Sequence, residues 1–183
     1  ALTAFGFPVG PVTLFDEVGI DVATKIGKVM VQHLGDRMEL PPATDKMMAD
    51  GRLGRKSKRG FYTYGKGRKR VDETVYGLIP GRTGRRRFPR KDIQDRLVYA
   101  FLNEAVTCLQ DGILRSPRDG DVGAIFGLGF PPFLGGPFRH LDRIGAAAAV
   151  STLERLRDRH GARFEPAAML KDLAGKGRSF HAA

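Results

Sequence analysis

The sequence predicts a mainly α-helical protein in which one structural pattern occurs twice. Apolar residues recur at helical spacing, and no convincing run of alternating apolar and polar residues indicates a strand. The series Gly-Phe-Pro, Gly-Pro, Asp and Gly is found at 6–19 and again, with a three-residue insertion, at 129–145. The two Gly-Pro pairs lie 137 − 11 = 126 residues apart, a period that favours a duplicated domain over a solenoid.

The first copy is predicted to contain short helices followed by an extended tail. Pro11 suits the first turn of a helix and Gly19 suits its end, while Asp21 can cap the helix that follows. Pro41 and Pro42 force an extended link before another helix. The predicted elements are helices at 11–19, 22–34 and about 45–49, and an extended segment at 61–64.

The second copy opens with a stronger helical signal than the first. An apolar stripe along 92–112 includes Leu97, Phe101 and Leu109 at helical spacing. Ser116 followed by Pro117 is typical of a helix start. The predicted helices are 92–112, 117–126, 137–144 and 146–160, with a last one after Pro166, and the final stretch 174–180 resembles 54–61.

A basic, glycine-rich segment at 65–91 separates the two copies and is predicted to be a linker. A nucleic-acid site there would need stacking aromatic residues, and only Tyr76 and Phe88 are interleaved. We therefore favour a solvated loop over a nucleic-acid binder. Its cations are Lys66, Arg68, Lys69, Arg70, Arg82, Arg85, Arg86, Arg87, Arg90 and Lys91.

Composition narrows the classes of partner and compartment. The formal net charge of +11 favours an anionic partner, such as nucleic acid, acidic lipid or a phosphate-bearing cofactor. The single cysteine, Cys108, excludes an internal disulfide framework and favours a reducing compartment. No apolar run is long enough to predict a transmembrane helix. The chain begins with Ala and lacks a leading helix before its first copy, so we expect a fragment of a longer protein.

The residues that could carry chemistry point to packing more than to catalysis. The Gly-Pro loops lack the features of a phosphate-binding loop, which leaves two interpretations open. In the favoured one they pack helices tightly, with Phe7, Phe130 and Phe133 in the core; in the other they form an apolar wall for an acyl chain. Asp16 and Asp142 recur at one repeat position and are expected to bind backbone N–H groups or a partner chain.

Histidines do not indicate a metal or catalytic site either. None stands at metal-ligand spacing from another, and one cysteine cannot complete a zinc set, so no metal is expected. Each is predicted to be a surface or boundary residue. They are His33, His140, His160 and His181.

Four stretches together resemble a known family. They are 6–21, 51–64, 103–109 and 123–138, the last reading Gly-Ala-Ile-Phe-Gly-Leu-Gly-Phe-Pro-Pro-Phe-Leu-Gly-Gly-Pro-Phe. The chain resembles the C-terminal half of 3-hydroxyacyl-CoA dehydrogenase, in the multifunctional form found in fatty acid oxidation complex α-subunits. The resemblance implies two tandem copies of the helical C-terminal domain, packed like the dimer of single-copy relatives: a truncated first copy at 1–64, the linker at 65–91 and a degenerate second copy at 92–183.

The resemblance also implies an activity for the parent protein. In this family an enoyl-CoA hydratase domain and an NAD-binding Rossmann domain precede the helical domains. A His–Glu pair in the Rossmann part takes the proton of the 3-hydroxyl group while hydride passes to NAD, giving 3-oxoacyl-CoA and NADH from (S)-3-hydroxyacyl-CoA. A supporting Asn lies on the helix expected before residue 1, and the second copy has Asp95 at that position. No catalytic residue is therefore expected in this chain, which alone should be inactive.

Two positions carry over from the family. Lys56 matches a lysine that touches NAD, and Phe126 matches a substrate-contacting tyrosine but lacks its hydroxyl group. The implied partners are acyl-CoA, the missing domains and a thiolase β-subunit, in the bacterial cytoplasm or, in a eukaryote, the mitochondrial matrix. The alternatives are a stand-alone dimerisation or scaffold module and, less favoured, a nucleic-acid binder acting through the basic linker.

Overall fold

The computed structural model describes residues 1–65, 68–81 and 84–181. Lys66 and Arg82 of the basic linker lie outside the described residues. The chain divides into two compact units. The small unit is Val9–Arg87, and the large unit combines Ala1–Pro8 with Phe88–Ala183.

The prediction of a mainly α-helical protein is confirmed. The described helices are α1 Leu2–Phe5, α2 Pro11–Val18, α3 Ile20–Leu34, α4 Ala43–Ala49, α5 Arg90–Gln110, α6 Pro117–Leu128, α7 Pro137–Ile144, α8 Ala146–His160 and α9 Ala168–Lys176. Two short strands, β1 Tyr62–Thr63 and β2 Arg70–Val71, pair antiparallel with Tyr62 opposite Val71. Short 3₁₀ segments occupy Gly35–Arg37, Arg55–Ser57, Glu73–Leu78, Pro132–Leu134 and Ala162–Phe164.

Helix ends follow the sequence signals with one correction. Ser116 caps α6 by accepting a hydrogen bond from the backbone N–H of Asp119, as its sequence predicts. Asp21 does not cap α3, since that helix begins at Ile20 after Gly19 and the Asp21 carboxylate bonds a lysine instead. Periodicity does not indicate α1 because a single turn is too short to show it.

The large unit is built around α5. Its side chains Leu102 and Val106 are fully buried and pack with residues of α7, α8 and α9. Phe130 is fully buried as expected, with the Phe7 and Phe101 rings at centroid distances of 5.7 and 5.4 Å. These contacts make the Gly-Phe-Pro loop part of the core.

Phe133 does not belong to that core, and its prediction is wrong. Its side chain is 66% exposed because the Pro132–Leu134 turn carries it to the surface, where its ring lies over Gly6. A Cβ atom at Gly6, whose φ is +126°, would lie 2.7 Å from that ring. Glycine is therefore required by the close approach.

The small unit has a smaller apolar interior. Its fully or nearly fully buried apolar residues are Ile20, Met47 and Val75, and Val75 belongs to the basic 65–91 segment. The solvated-loop interpretation is therefore wrong for 70–79, which forms β2 and a 3₁₀ turn that packs against α4.

A buried arginine, Arg52, links the 70–79 segment to the rest of the small unit by hydrogen bonds. Arg52 is 0% exposed and donates hydrogen bonds to the Gly60 carbonyl at 2.8 Å, to Asp72 at 2.9 Å and to Asp50 at 2.7 Å, as well as to the Thr74 hydroxyl. Burial alone would raise the pKa of Asp72. Hydrogen bonds from Thr74, Arg59 and Arg52 outweigh burial and hold that pKa well below its usual range.

The helix pairs α2–α3 and α7–α8 have matching bounds. Their first residues are offset by 137 − 11 = 126 and 146 − 20 = 126 positions, and the helices of each pair have equal lengths. One glycine with a positive φ joins each pair, Gly19 at 102° and Gly145 at 86°. Among the described residues, no helix is long and apolar enough to cross a membrane.

Replacing Arg52 tests the buried ion cluster. We expect Arg52→Met to lower the free energy of unfolding by about 3–5 kcal/mol, because it leaves buried carboxylate oxygens with fewer partners. The check is urea denaturation at neutral pH. Arg55→Met is the control and should change stability by less than about 1 kcal/mol, since Arg55 forms an exposed ion pair.

The same cluster predicts acid sensitivity. A carboxylate whose folded pKa is lowered stabilises the protein above its unfolded pKa of about 4, and that contribution is lost as the pH falls through the folded value. Wild-type stability should therefore fall as the pH drops below about 4. Asp72→Asn should flatten this fall; an unchanged slope would contradict the role of Asp72.

Candidate functional site

In each unit, one aspartate carboxylate binds two backbone N–H groups of a segment distant in sequence, an arrangement called here an aspartate clamp. In the small unit, Asp16 is fully buried, and its carboxylate accepts hydrogen bonds from the backbone N–H groups of Phe61 and Tyr62 at 2.9 and 3.0 Å. In the large unit, Asp142 accepts from the backbone N–H groups of Phe180 and His181 at 2.7 and 3.0 Å. The expectation that these aspartates bind backbone N–H groups is confirmed.

The Asp16 clamp also holds Tyr64, whose hydroxyl donates to the carboxylate at 2.9 Å. Burial, followed by the hydrogen bond to Asp16, raises the pKa of Tyr64 well above its usual value. Gly60 is required beside the clamp because a Cβ atom there would overlap the Asp16 carboxylate. The clamp thus fixes the chain that leaves the 54–59 turn, on which Lys56 lies.

Lys56 stands on the Arg55–Ser57 turn with its ammonium group at the surface. Its Nζ donates to the Asp21 carboxylate at 2.7 Å, and this hydrogen bond lowers the pKa of Asp21. A Cβ atom on Gly19 would lie 2.9 Å from Asp21 and 3.2 Å from the ammonium, so glycine leaves room for the pair. Ser57 braces the turn by accepting from the Leu53 N–H and lying within hydrogen-bond distance of the Gly54 and Arg59 carbonyls.

Phe126 lies on α6 of the large unit and is 86% exposed. Further exposed apolar side chains lie nearby in sequence, namely Ile113, Val122 and Leu128. Between α5 and α6 a groove of about 350 Å³ has a lining that is almost wholly apolar. Its lining residues are Phe101, Glu104, Ala105, Cys108, Ile113, Leu114, Gly120, Gly123, Ala124, Leu128 and Pro137.

Lys56 and Phe126 belong to different units. The small unit supplies an anchored cation, and the large unit supplies an exposed aromatic ring on α6 and an apolar groove between α5 and α6 that this ring does not line.

His181 takes part in a contact that sequence reasoning does not reveal. Its Nδ1 lies 2.9 Å from Asp142 and its Nε2 lies 3.1 Å from Asp121, with the side chain only 13% exposed. Asp121 also caps α7 by accepting from the Phe138 N–H at 2.8 Å. Burial raises the pKa of Asp121, against the opposing effect of that N–H bond. Three residues this far apart in sequence leave no local spacing that would predict the bridge.

His140 is half-buried, as expected of a boundary residue. Its ring lies near those of Phe5 and Phe130, with centroid distances of 5.8 and 6.2 Å, and its Nδ1 is buried without a hydrogen-bond partner among the described residues. Burial, and then the charge of Arg143, lower the pKa of His140. Within the described part of the chain, no group of His, Cys, Asp and Glu is arranged to hold a metal ion.

A comparison with protein families decides the assignment. The family model for the 3-hydroxyacyl-CoA dehydrogenase C-terminal domain matches residues 1–64 and 93–182 of this chain. The chain belongs to this family. The matched stretches include Lys56 and Phe126 as well as Asp16 and Asp142.

Similar curated proteins are named as alpha subunits of a fatty acid oxidation complex. The chain is 55% identical over 184 residues to the fatty acid oxidation complex subunit alpha of Shewanella amazonensis, covering 99% of this chain and 26% of that protein. It is 52% identical over 183 residues to the subunit of the same name from Shewanella baltica, covering 98% and 26%. The chain thus spans about a quarter of the length of these relatives.

Two solved structures share the fold of the 3-hydroxyacyl-CoA dehydrogenase C-terminal domain. The 3-hydroxybutyryl-CoA dehydrogenase of Escherichia coli superposes with a TM-score of 0.72 at 20% identity, over 94% of this chain and 52% of that one. The dehydrogenase part of multifunctional enzyme 1 from Caenorhabditis elegans has a TM-score of 0.66 at 27% identity, over 93% and 40%. Because the Escherichia coli enzyme is only 20% identical to this chain, its likeness shows a shared fold and nothing further.

The environment of His140 predicts a pH effect on stability. Its folded pKa lies below its ordinary value of 6.5, so the unfolded chain binds the proton more readily. Its contribution to stability is complete above pH 6.5 and is lost as the pH falls through the lowered pKa. We expect the slope of unfolding free energy against pH between about 5 and 7 to be smaller in His140→Phe.

Chemical denaturation across that pH range is the measurement. The matched control is His33→Phe, because His33 is exposed on α3. An equal loss of slope in both variants would show that the effect does not come from the buried ring.

Proposed function

We propose that this chain is the C-terminal helical part of an NAD-dependent 3-hydroxyacyl-CoA dehydrogenase of fatty acid oxidation. The parent would convert (S)-3-hydroxyacyl-CoA and NAD to 3-oxoacyl-CoA and NADH. One observation carries the proposal: proteins named fatty acid oxidation complex subunit alpha match 98–99% of this chain at more than half identity.

The chain would contain two tandem copies of the family's helical domain, packed like a dimer. The equal lengths of α2 and α7 and of α3 and α8, at a constant offset of 126 residues, support this arrangement, as do the two aspartate clamps at the same point of each helix pair. Duplication explains both observations, since unrelated units would have no reason to repeat, at one position, a carboxylate that binds the backbone N–H groups of a tail.

The second copy would contribute packing and not chemistry. Asp95 stands where the family's supporting Asn is expected, and its carboxylate accepts two hydrogen bonds from Lys91 at 2.9 Å, one turn earlier on α5. A carboxylate held in an ion pair does not offer the neutral amide of that asparagine, which can both donate and accept hydrogen bonds. The His–Glu pair that removes the hydroxyl proton would belong to the Rossmann part of the parent.

Lys56 would meet NAD as a point charge. NAD supplies the hydride acceptor when bound, and its phosphates suit an ammonium group that is half exposed and held in one place. The hydrogen bond from Lys56 to Asp21 anchors the lysine at the start of α3. Partial neutralisation by Asp21 limits the lysine to a supporting contact, so the main cradle of NAD would lie in the Rossmann domain.

Phe126 would provide an apolar contact for the acyl chain. A phenyl ring that is 86% exposed on a helix surface gains free energy when an apolar ligand covers it. The groove between α5 and α6 is a separate apolar surface. Its lining includes Leu128 and Pro137 of the Gly-Pro region, which supports the second interpretation of that region as part of a substrate wall.

The name of the relatives refers to a complex, so a partner subunit is part of the proposal. We propose a thiolase β-subunit as that partner, because it would consume the 3-oxoacyl-CoA product. The bacterial relatives favour the bacterial cytoplasm as the compartment.

A direct assay separates the dehydrogenase from a stand-alone scaffold. The full-length protein should oxidise NADH with acetoacetyl-CoA, followed by absorbance at the NADH band, and the 183-residue chain alone should not. Turnover by this chain alone would contradict the assignment of the catalytic pair to the Rossmann part. An inactive full-length protein would favour the scaffold.

Phe126→Ala tests the substrate contact in the full-length enzyme. We expect KM for a long-chain 3-oxoacyl-CoA to rise about tenfold, with a smaller effect on acetoacetyl-CoA, because burying a phenyl ring is worth about 1.5–3 kcal/mol. Stability should change by less than about 0.5 kcal/mol, since the ring is exposed. Val122→Ala on the same helix is the matched control, and equal effects of both variants would remove Phe126 from the site.

A further inference from the structure

A second cavity lies in the small unit, next to the 54–59 turn. It measures about 490 Å³ and is lined by Glu17, Arg55, Lys58, Tyr64, Gly65 and Lys69. Pockets of 300–1,000 Å³ are typical of small-molecule sites. Its lining brings together cations from the turn and from the segment that leads into β2.

The charges around this cavity are unbalanced. Arg55 donates to Glu17 at 2.8 Å, and the Lys69 ammonium donates to the neutral Thr13 hydroxyl at 2.9 Å. Among the described residues, no carboxylate pairs with Lys58. With the lining cations Arg55, Lys58 and Lys69 and the single carboxylate Glu17, the lining carries a net charge of 3 − 1 = +2.

The backbone at Lys58 is a second and independent observation. Its φ of 60° and ψ of 10° place it in the left-handed region, and among the described residues it is the only non-glycine with a positive φ. A side chain there is sterically costly, which is why glycine or asparagine usually fills such positions.

The large unit contains the matching turn with glycine in place of this lysine. The tails bind their aspartate clamps through Phe61 and Phe180, an offset of 180 − 61 = 119, and 58 + 119 = 177. Gly177 has φ 61° and ψ 31°, close to the values of Lys58. Ala174 likewise stands where the small unit has Arg55, since 55 + 119 = 174.

The turn therefore forms without these cations, and the small unit keeps a strained lysine that the fold does not need. Such strain persists where the side chain has a use. We propose that this cavity binds the phosphate end of a nucleotide. Arginine and lysine are the side chains that bind phosphate, and a cavity of this volume exceeds the needs of inorganic phosphate.

Tyrosine rings add a surface for the rest of the ligand. Tyr64 lines the cavity, with its hydroxyl held by Asp16, and the Arg55 guanidinium lies 5.8 Å from its ring centre. The Lys69 ammonium lies 4.7 Å from the ring centre of Tyr62. The lining contains neither Lys56 nor Phe126, and the cavity lies beside the turn that carries Lys56.

Isothermal titration calorimetry of the 183-residue chain with adenosine 3′,5′-bisphosphate tests the proposal. We expect binding that weakens as salt is added. Lys58→Asn should weaken it by about tenfold or more, the usual loss for one hydrogen bond to a charged group. Asparagine tolerates the left-handed conformation, so the midpoint of chemical denaturation should stay the same or rise.

Lys25→Asn is the control, because it removes the same charge from an exposed position on α3. Equal weakening in both variants would reduce the effect to net charge and overturn the site. No binding by the wild-type chain would also overturn the site. A lower denaturation midpoint in Lys58→Asn would overturn it as well, because it would give the lysine a structural role. Pyrophosphate binding as tightly as the bisphosphate nucleoside would contradict a nucleotide as the ligand.

Discussion

Each unit depends on one aspartate carboxylate that accepts hydrogen bonds from the backbone N–H groups of a distant tail. Asp16 reaches Phe61 and Tyr62, and Asp142 reaches Phe180 and His181. A carboxylate bonded to backbone N–H groups forms stronger hydrogen bonds than neutral acceptors do, and it fixes the tail in position and direction. Glycine at position 60 then follows as a steric requirement, because any side chain would overlap the carboxylate. The surface turn that carries Lys56 and Lys58 is held by this interior bond.

The two units stabilise themselves by different means. The large unit buries an extensive apolar cluster around α5, whereas the described apolar core of the small unit consists of Ile20, Met47 and Val75. The small unit adds Arg52, a fully buried cation that ties the 70–79 segment to the rest of the unit. Because that interaction is ionic and buried, it responds to acid and to loss of either partner far more than packed aliphatic side chains do.

Local patterns in the sequence predict the helices but not most of the contacts between them. Proline starts, glycine stops and the Ser116 cap act within a few residues, so the bounds of α2, α7 and α8 are close to those expected. The burial of Val75 and the bridge from His181 to Asp121 depend on residues brought together by folding. Phe133 is predicted to lie in the core because it belongs to an apolar loop, but a 3₁₀ turn places its ring at the surface. The candidate positions Lys56 and Phe126 came from family resemblance, and the strained Lys58 is visible only in the backbone.

The matching helix pairs α2–α3 and α7–α8 differ in the burial of their apolar faces. Val12, Phe15 and Met30 are exposed in the small unit, whereas the residues 126 positions later, Phe138, Leu141 and Leu156, are buried in the large one. Those counterparts belong to the apolar cluster that includes α5, and α5 contacts both α7 and α8. The exposed apolar residues of α2 and α3 therefore form a face that resembles, in composition, the face of α7 and α8 that α5 covers. Under the proposed duplication, the exposed apolar face of α2 and α3 would be the counterpart of the face of α7 and α8 that α5 covers in the large unit.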